Sequence, residues 1–212
     1  MNRLTLSQRA KLEMGLAGAA SLTDTTAATG VDAKVVNWVD LAWQRIQQMK
    51  LWDWMWEATT VTILANTAVT AGTISERRYI KDACRDANSS LLAFLPWEHF
   101  RHAYPSTLIA AGAPSAWSIR PDKAFAVNAK PTSNAALSVE RYKAPSVMAL
   151  DADTPTGLPT ELHMAIVWRA VMLYAGHDEA GTLYQHAKAE YEKLMGTAAG
   201  EEQARPHWGA SW

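Results

Sequence analysis

The chain has 212 residues, 20 Lys+Arg against 21 Asp+Glu, and a formal net charge of −1. Apolar residues make up 49%, enough to bury a sizeable core and to exclude wholesale disorder, and the length fits one domain or one domain with an appendage. No apolar run reaches the roughly 18 residues of a membrane span, near-neutral charge argues against salt-driven binding to nucleic acid, and the single Cys84 excludes an internal disulfide framework and a Cys-rich metal site. Ten Trp stand beside only three Phe. Trp is amphipathic and favours interfaces, so the excess points to assembly surfaces.

Arg3, Arg9 and Lys11 precede a mildly apolar stretch from Leu12 to Leu22, but Glu13 interrupts it. No secretory signal is expected, and the chain is expected to be cytoplasmic when made. Ser7 is placed to cap a first short helix with Leu12, Leu16 and Ala19 on one face. Residues 21–30 read as a polar connector. From Asp32, Val35, Val39, Ala42, Ile46 and Met49 recur at spacings of four and three, which predicts an amphipathic helix with Gln44, Gln47 and Gln48 on other faces.

Trp52, Trp54 and Trp56 follow at spacing two and would share one face of a strand. Thr59–Leu64 is β-branched and alternating, a predicted strand. Residues 65–75 read as a loop tip or a weak hairpin return. The mixed-charge stretch 76–88 is ambiguous. Asn88 or Ser89 is placed to cap a short helix through Leu91, Leu92 and Phe94, and Pro96 to open another over Trp97–His102. Residues 105–116 are loop. Trp117 and Ile119, Phe125 and Val127, and Leu137, Val139 and Arg141 then alternate between two turns, which predicts an antiparallel meander.

A Pro-punctuated loop over 143–158 carries Asp151 and Asp153. Pro159 opens a helix bearing Leu162, Ile166, Arg169 and Leu173, ended by Gly176. Asp178 is placed to cap the last helix, with Ala180, Leu183, Tyr184, Ala187, Tyr191 and Leu194 on its stripe and Gly196 at its end. Residues 197–212 carry no period. The predicted class is α+β: a helical bundle from both chain ends, an inserted small antiparallel sheet and an extended C-terminal tail. The domain plan is one α+β domain over 1–196, with a β-rich insertion at about 57–145 and a flexible docking tail over 197–212.

No phosphate loop, nucleophile elbow or His-Glu-x-x-His pair is present. The nearest metal candidate is Glu98-His99-Phe100-Arg101-His102, where two His at i, i+3 lack a third ligand and have Arg101 between them. His177-Asp178-Glu179 with His186 reads as helix-end chemistry. Cys84 reads as an ordinary thiol, and Asp151 and Asp153 as solvated carboxylates unless they converge on a cation. Asp53 and Glu57 beside the clustered Trp argue against a platform for single-stranded nucleic acid, and most Trp read as core. No catalytic residue, metal or cofactor is expected.

Several segments in order resemble the head-to-tail connector adaptor proteins of tailed bacteriophages. They are Asn37–Ile46 running on to Trp52–Met55; Leu95–Arg101 with Tyr104; Gly112–Pro114 leading to Trp117–Ile119, Phe125–Asn128 and Lys130-Pro131; Leu137–Pro145; and Leu158–His163 with Tyr174 and Tyr191. The resemblance covers roughly residues 35–195 and departs from the family at 64–75, which lack the aromatic return strand. It implies a non-catalytic virion protein of the neck, assembled in the host cytoplasm. Its implied partners are further copies of itself in a ring, usually twelvefold, the portal protein and tail or stopper proteins, with non-specific passage of DNA and no membrane. The remaining readings are another neck or tail-completion component and a Trp-lined carbohydrate-binding protein or enzyme. Within the tail, Arg205, Pro206, His207, Trp208 and Trp212 are the candidate docking residues, because a solvated tail has no use for two indoles.

Overall fold

The computed structural model describes residues 1–16, 22–70, 76–106 and 108–204, the side chains of 76–78 and 197–204 excepted. The elements run α1 (Arg3–Glu13), α2 (Gly30–Met49), a 3-10 turn (Asp53–Met55), β1 (Trp56–Ile63), β2 (Glu76–Tyr79), β3 (Ala93–Phe94), α3 (Trp97–Ala103), β4 (Ala116–Ile119), β5 (Phe125–Val127), β6 (Ala135–Lys143), a second 3-10 turn (Thr160–Leu162), α4 (His163–His177) and α5 (Gly181–Ala204). The fold is mixed α+β. The chain divides into two compact units, Met1–Trp54 with Pro145–Trp212, and Met55–Ala144.

The first unit contains α1, α2, α4 and α5. The α2 stripe is buried at Val35, Val39, Ala42 and Ile46, joined by Val36 and Trp43. Met49 departs from the expected stripe: it is 58% exposed, and its sulfur accepts a hydrogen bond from the Tyr191 hydroxyl at 3.0 Å. Gln47, expected on a polar face, is buried instead. Its amide clasps the 145–158 loop by accepting from Ser146 N at 2.7 Å and donating to Ser146 O at 2.9 Å, so a buried polar group is fully paired.

Ser7 does not cap α1. Asn2 does, accepting from Thr5 N at 2.8 Å. Ser7 lies inside the helix, buried, and donates to the Arg3 carbonyl four residues back. Leu6 and Ala10 are the buried face, and Leu12 is exposed. In α4, Ala165, Ile166, Val167, Ala170 and Val171 are buried, and Gly176 is still helical. Asp178 is the C-cap of α4 and not the N-cap of α5; its carboxylate accepts from Tyr174 Oη. On α5, Ala187 and Tyr191 are buried, whereas Leu183 is only half-buried. α5 passes through Gly196 to Ala204, eight residues beyond the expected stop.

Arg3 gathers this unit. Its guanidinium donates to Asp40 Oδ2 at 2.6 Å and Oδ1 at 3.1 Å, to Thr25 Oγ1 at 3.0 Å and to the Ala149 carbonyl at 2.7 Å. Its backbone N–H donates to Asp153 O at 2.7 Å. One buried side chain therefore joins α1, the 22–29 connector, α2 and the 145–158 loop. Asp40 raises its pKa, chiefly by hydrogen bonding. Gly157 fixes the far end of that loop: its φ is +80°, and a Cβ there would lie 2.8 Å from the Trp54 carbonyl oxygen.

Among the described residues the second unit carries two three-stranded sheets, in orders β1-β6-β2 and β3-β4-β5. The predicted meander is therefore corrected. β4 and β5 do form an antiparallel pair, but β6 leaves them to pair antiparallel between β1 and β2, and β3 joins β4 in parallel. The short helix expected from Asn88 or Ser89 is absent. Asp86 Oδ1 takes the N–H groups of Asn88 and Ser90, and Ser89 sits at φ 63°, so side-chain capping closes a turn in place of starting a helix. Both sheets contribute to one core, in which Trp117 stacks on Phe125 with centroids 4.8 Å apart beside Tyr79, Leu137 and Val139.

Two outcomes are expected. Arg3→Met should destabilise the protein by about 3 kcal/mol, because it leaves the Asp40 carboxylate unpaired in a mostly buried site; denaturant unfolding measures this. His163 is buried, its Nδ1 accepting from the Met1 amine at 2.5 Å and its Nε2 lying 3.2 Å from the Leu158 carbonyl. Burial first, and the Met1 charge second, hold its pKa below the ordinary 6.5. The folded state thus resists a proton that the unfolded chain takes up. Stability should be unaffected above that pH and fall as pH drops below it. Melting temperature followed from pH 7.5 to 5 should decline, and less steeply in His163→Gln.

Candidate assembly surfaces

The Trp-rich run after α2 is a helix plug and not a strand face. Trp52 is buried, and its indole N–H donates to the Ile46 carbonyl at 2.7 Å, satisfying one of the acceptors that a helix end leaves open. Trp54 stacks between Trp43 and Trp52, with centroids 5.5 and 6.1 Å away. The Lys50 ammonium sits 4.0 Å over the Trp52 ring. Trp56 alone turns outward, 45% exposed at the start of β1, with its N–H on Glu140 at 3.1 Å. Elsewhere Trp43 and Trp117 are buried, whereas Trp38 and Trp168 are half-buried against Tyr174, His177 and His186.

Exposed apolar groups occur on each unit: Leu12, Val31, Met49, Val147 and Leu150 on the first, Trp56, Leu64, Leu91 and Leu108 on the second. Scattered singly such groups need no explanation. The second unit also has a cavity of about 520 Å³ beside α3. Trp97 stacks on Phe100 there at 5.8 Å, and the Arg120 guanidinium lies 5.8 Å from the Trp97 ring. Arg101 is paired with Glu98 at 2.5 Å. The β1-β6-β2 sheet of this unit ends in β1, whose backbone edge is uncovered among the described residues. The sequence signal for that edge was Thr59–Leu64 itself, alternating and without Pro, Gly or Lys.

The other candidates do not assemble into a centre. His99 and His102 are exposed on α3 around the buried Phe100. His177 packs on Trp38, Asp178 on Tyr174, and His186 edge-on to Trp168, so that set is dispersed. Asp151 accepts from the Thr25 N–H at 2.8 Å and from the Thr25 hydroxyl. Asp153 accepts from Leu150 and Ala149 N–H at 2.8 and 2.7 Å, and those bonds hold its pKa below the usual carboxylate range. Both carboxylates organise the loop. No group of three or more His, Cys, Asp or Glu suited to a metal ion occurs among the described residues, and no helix among them is long and apolar enough to cross a membrane. The candidate docking residues Arg205, Pro206, His207, Trp208 and Trp212 lie outside the described residues.

The described residues form an α+β protein with an uncovered β1 edge and no catalytic or metal-binding cluster among them. The family model described as SU10 adaptor protein matches residues 1–211. The chain belongs to this family, and it is a structural adaptor protein of bacteriophage. A comparison with curated proteins finds no match.

Cys84 is buried, and burial pushes its thiol up to about 12. The thiolate is the reactive form, so the folded protein should resist iodoacetamide at pH 8 and be alkylated at once in denaturant. Mass spectrometry over a time course measures this; rapid native labelling would show that Cys84 is accessible.

Proposed function

We propose that this adaptor forms a ring, twelvefold as is usual for the resemblance described above, between the portal and the tail of the virion, and that it acts without catalysis. The observation that carries the reading is the family match over residues 1–211. The ring leaves a channel for the genome and a platform for tail or stopper proteins. A net charge of −1 suits a channel through which DNA slides, since a strongly basic lining would bind phosphates and retain the duplex. A ring requires the same head-to-tail contact repeated around its axis.

The tail beyond α5 is the docking element in this reading, through Arg205, Pro206, His207, Trp208 and Trp212. Burying an indole contributes roughly 1.5–3 kcal/mol. Ordering a short segment opposes binding, and simultaneous engagement of many tails around a ring offsets that cost. Negative-stain imaging of the protein mixed with its portal should show a ring seated on the portal. Deleting residues 205–212 should leave the thermal melt unchanged and abolish that assembly. A truncated protein that assembles with unchanged affinity would remove the tail from this role.

A further inference from the structure

The sheet β1-β6-β2 has two edges of different character. On the β2 side the register with β6 shifts between Glu76 and Arg78, and such a bulge blunts an edge. On the β1 side the pairing runs unbroken from Trp56↔Tyr142 to Ile63↔Ala135. Residues 56–64 contain no Pro, Gly or Lys, and the one charge, Glu57, is drawn to Arg141 and Lys143 of β6, so the strand is only lightly guarded.

The direction of the β1 backbone groups follows from β6. Ser138 and Arg85 exchange both backbone hydrogen bonds, each at 2.8 Å. The N–H and C=O of Ser138 therefore point away from β1. Opposed residues of an antiparallel ladder either exchange both bonds or exchange none, so Thr60, opposite Ser138, turns its own N–H and C=O away from β6. Ala58 and Thr62 have the same parity. The Glu140 carbonyl, opposite Ala58, accepts from Ile80 N–H at 2.9 Å, in agreement. The backbone groups of Ala58, Thr60 and Thr62 are bonded to no described residue beyond the sheet. Their side chains are exposed, between Trp56 and Leu64 at 45% and 52% exposure.

We propose that this open edge of β1 receives residues 205–212 of a neighbouring copy as an added strand. The proposal rests on the ring reading above and names its subunit contact. Reach supports the occupant: residues 205–212 follow α5 directly, and an extended stretch of that size can run along β1, which is eight residues long. Side-chain size supports it too. Trp208, Ala210 and Trp212 stand at spacing two, so in an extended chain they share one face. The exposed face of β1 offers the small Ala58, Thr60 and Thr62 beside them, and cross-strand neighbours of this kind stabilise a sheet. Pro206 falls at the start of the segment, where a strand tolerates a missing N–H. Main-chain bonding supplies affinity and the indoles supply register. The contact is heterologous, as a ring demands.

The test uses the full chain. Thr60→Pro removes an N–H that β6 does not use, at an edge position where Pro is tolerated. It should keep the circular dichroism and the melt of the unsubstituted protein and weaken ring formation roughly tenfold or more, a loss of about 1.4 kcal/mol per tenfold. Ala58→Cys combined with Ala210→Cys should, on mild oxidation, give a ladder of covalent oligomers on a non-reducing gel, with the buried Cys84 silent. Thr60→Pro protein that forms rings as well as the unsubstituted chain overturns the edge contact, even while deletion of 205–212 still prevents portal assembly. A disulfide closed within single chains overturns exchange between copies. Unsubstituted chain that forms no ring with or without portal overturns the ring reading, and this proposal with it.

Discussion

The first unit depends on the hydrogen bonding of one guanidinium. Arg3 faces Asp40, Thr25 and the carbonyl of Ala149 at once, and these belong to stretches of chain with no helical or strand pairing to one another. Arginine suits the position because its planar fork carries five donors in fixed directions, and two of them meet a carboxylate together. Lysine would supply the charge and lose the geometry. The remaining loop contacts build outward from this point: the Asp151 carboxylate on Thr25, Asp153 across the turn at 149–150, and Gln47 on Ser146. Each pairs a polar group in a confined place, so the loop over 145–158 is held by directional bonds and only secondarily by apolar contact.

The excess of Trp has several separate causes. Trp43, Trp52 and Trp54 close the end of α2, one by a hydrogen bond to an orphan carbonyl and all three by stacking. Trp117 anchors the core of the second unit with Phe125. Trp56 and Trp97 remain within reach of solvent. Composition alone says only that there is an excess of Trp, whereas burial divides the rings into fold-forming and surface groups.

Legibility in the sequence followed the range of the interaction. Helical stripes such as Val35-Val39-Ala42-Ile46 are local, and the structure buries them as read. The strand at Thr59–Leu64 was visible for the same reason. Arg3 was not legible as a hub, because its partners lie 22 to 146 residues away and none belongs to a motif. The division into two sheets was hidden because the turn over 130–134 has the same chemistry whether the flanking strands pair or separate. The helix expected from Asn88 or Ser89 does not form because Asp86 takes the N–H groups of Asn88 and Ser90 into a turn, and Leu92 N–H goes to the Cys84 carbonyl. At the candidate surfaces, the edge strand could be recognised by type, but its unbonded side emerged only from the partners of β6.

The insertion of one unit into the other has a consequence for how such a chain folds and diversifies. Trp56 lies opposite Tyr142 in the β1–β6 ladder, so the chain leaves and re-enters the first unit, at Trp54 and Pro145, through two neighbouring passages. Once β1 and β6 have zipped, the first unit meets the whole of Met55–Ala144 as it would a tight turn. The entropy of closing a long loop, which grows with its length, has by then been met within the inserted unit. Pairing of β1 with β6 thus lowers the entropy cost of bringing the two stretches of the first unit together. An insertion with paired ends also keeps its two passages side by side whatever the length between them, so a lineage can lengthen or trim the stretch between β1 and β6 without parting them.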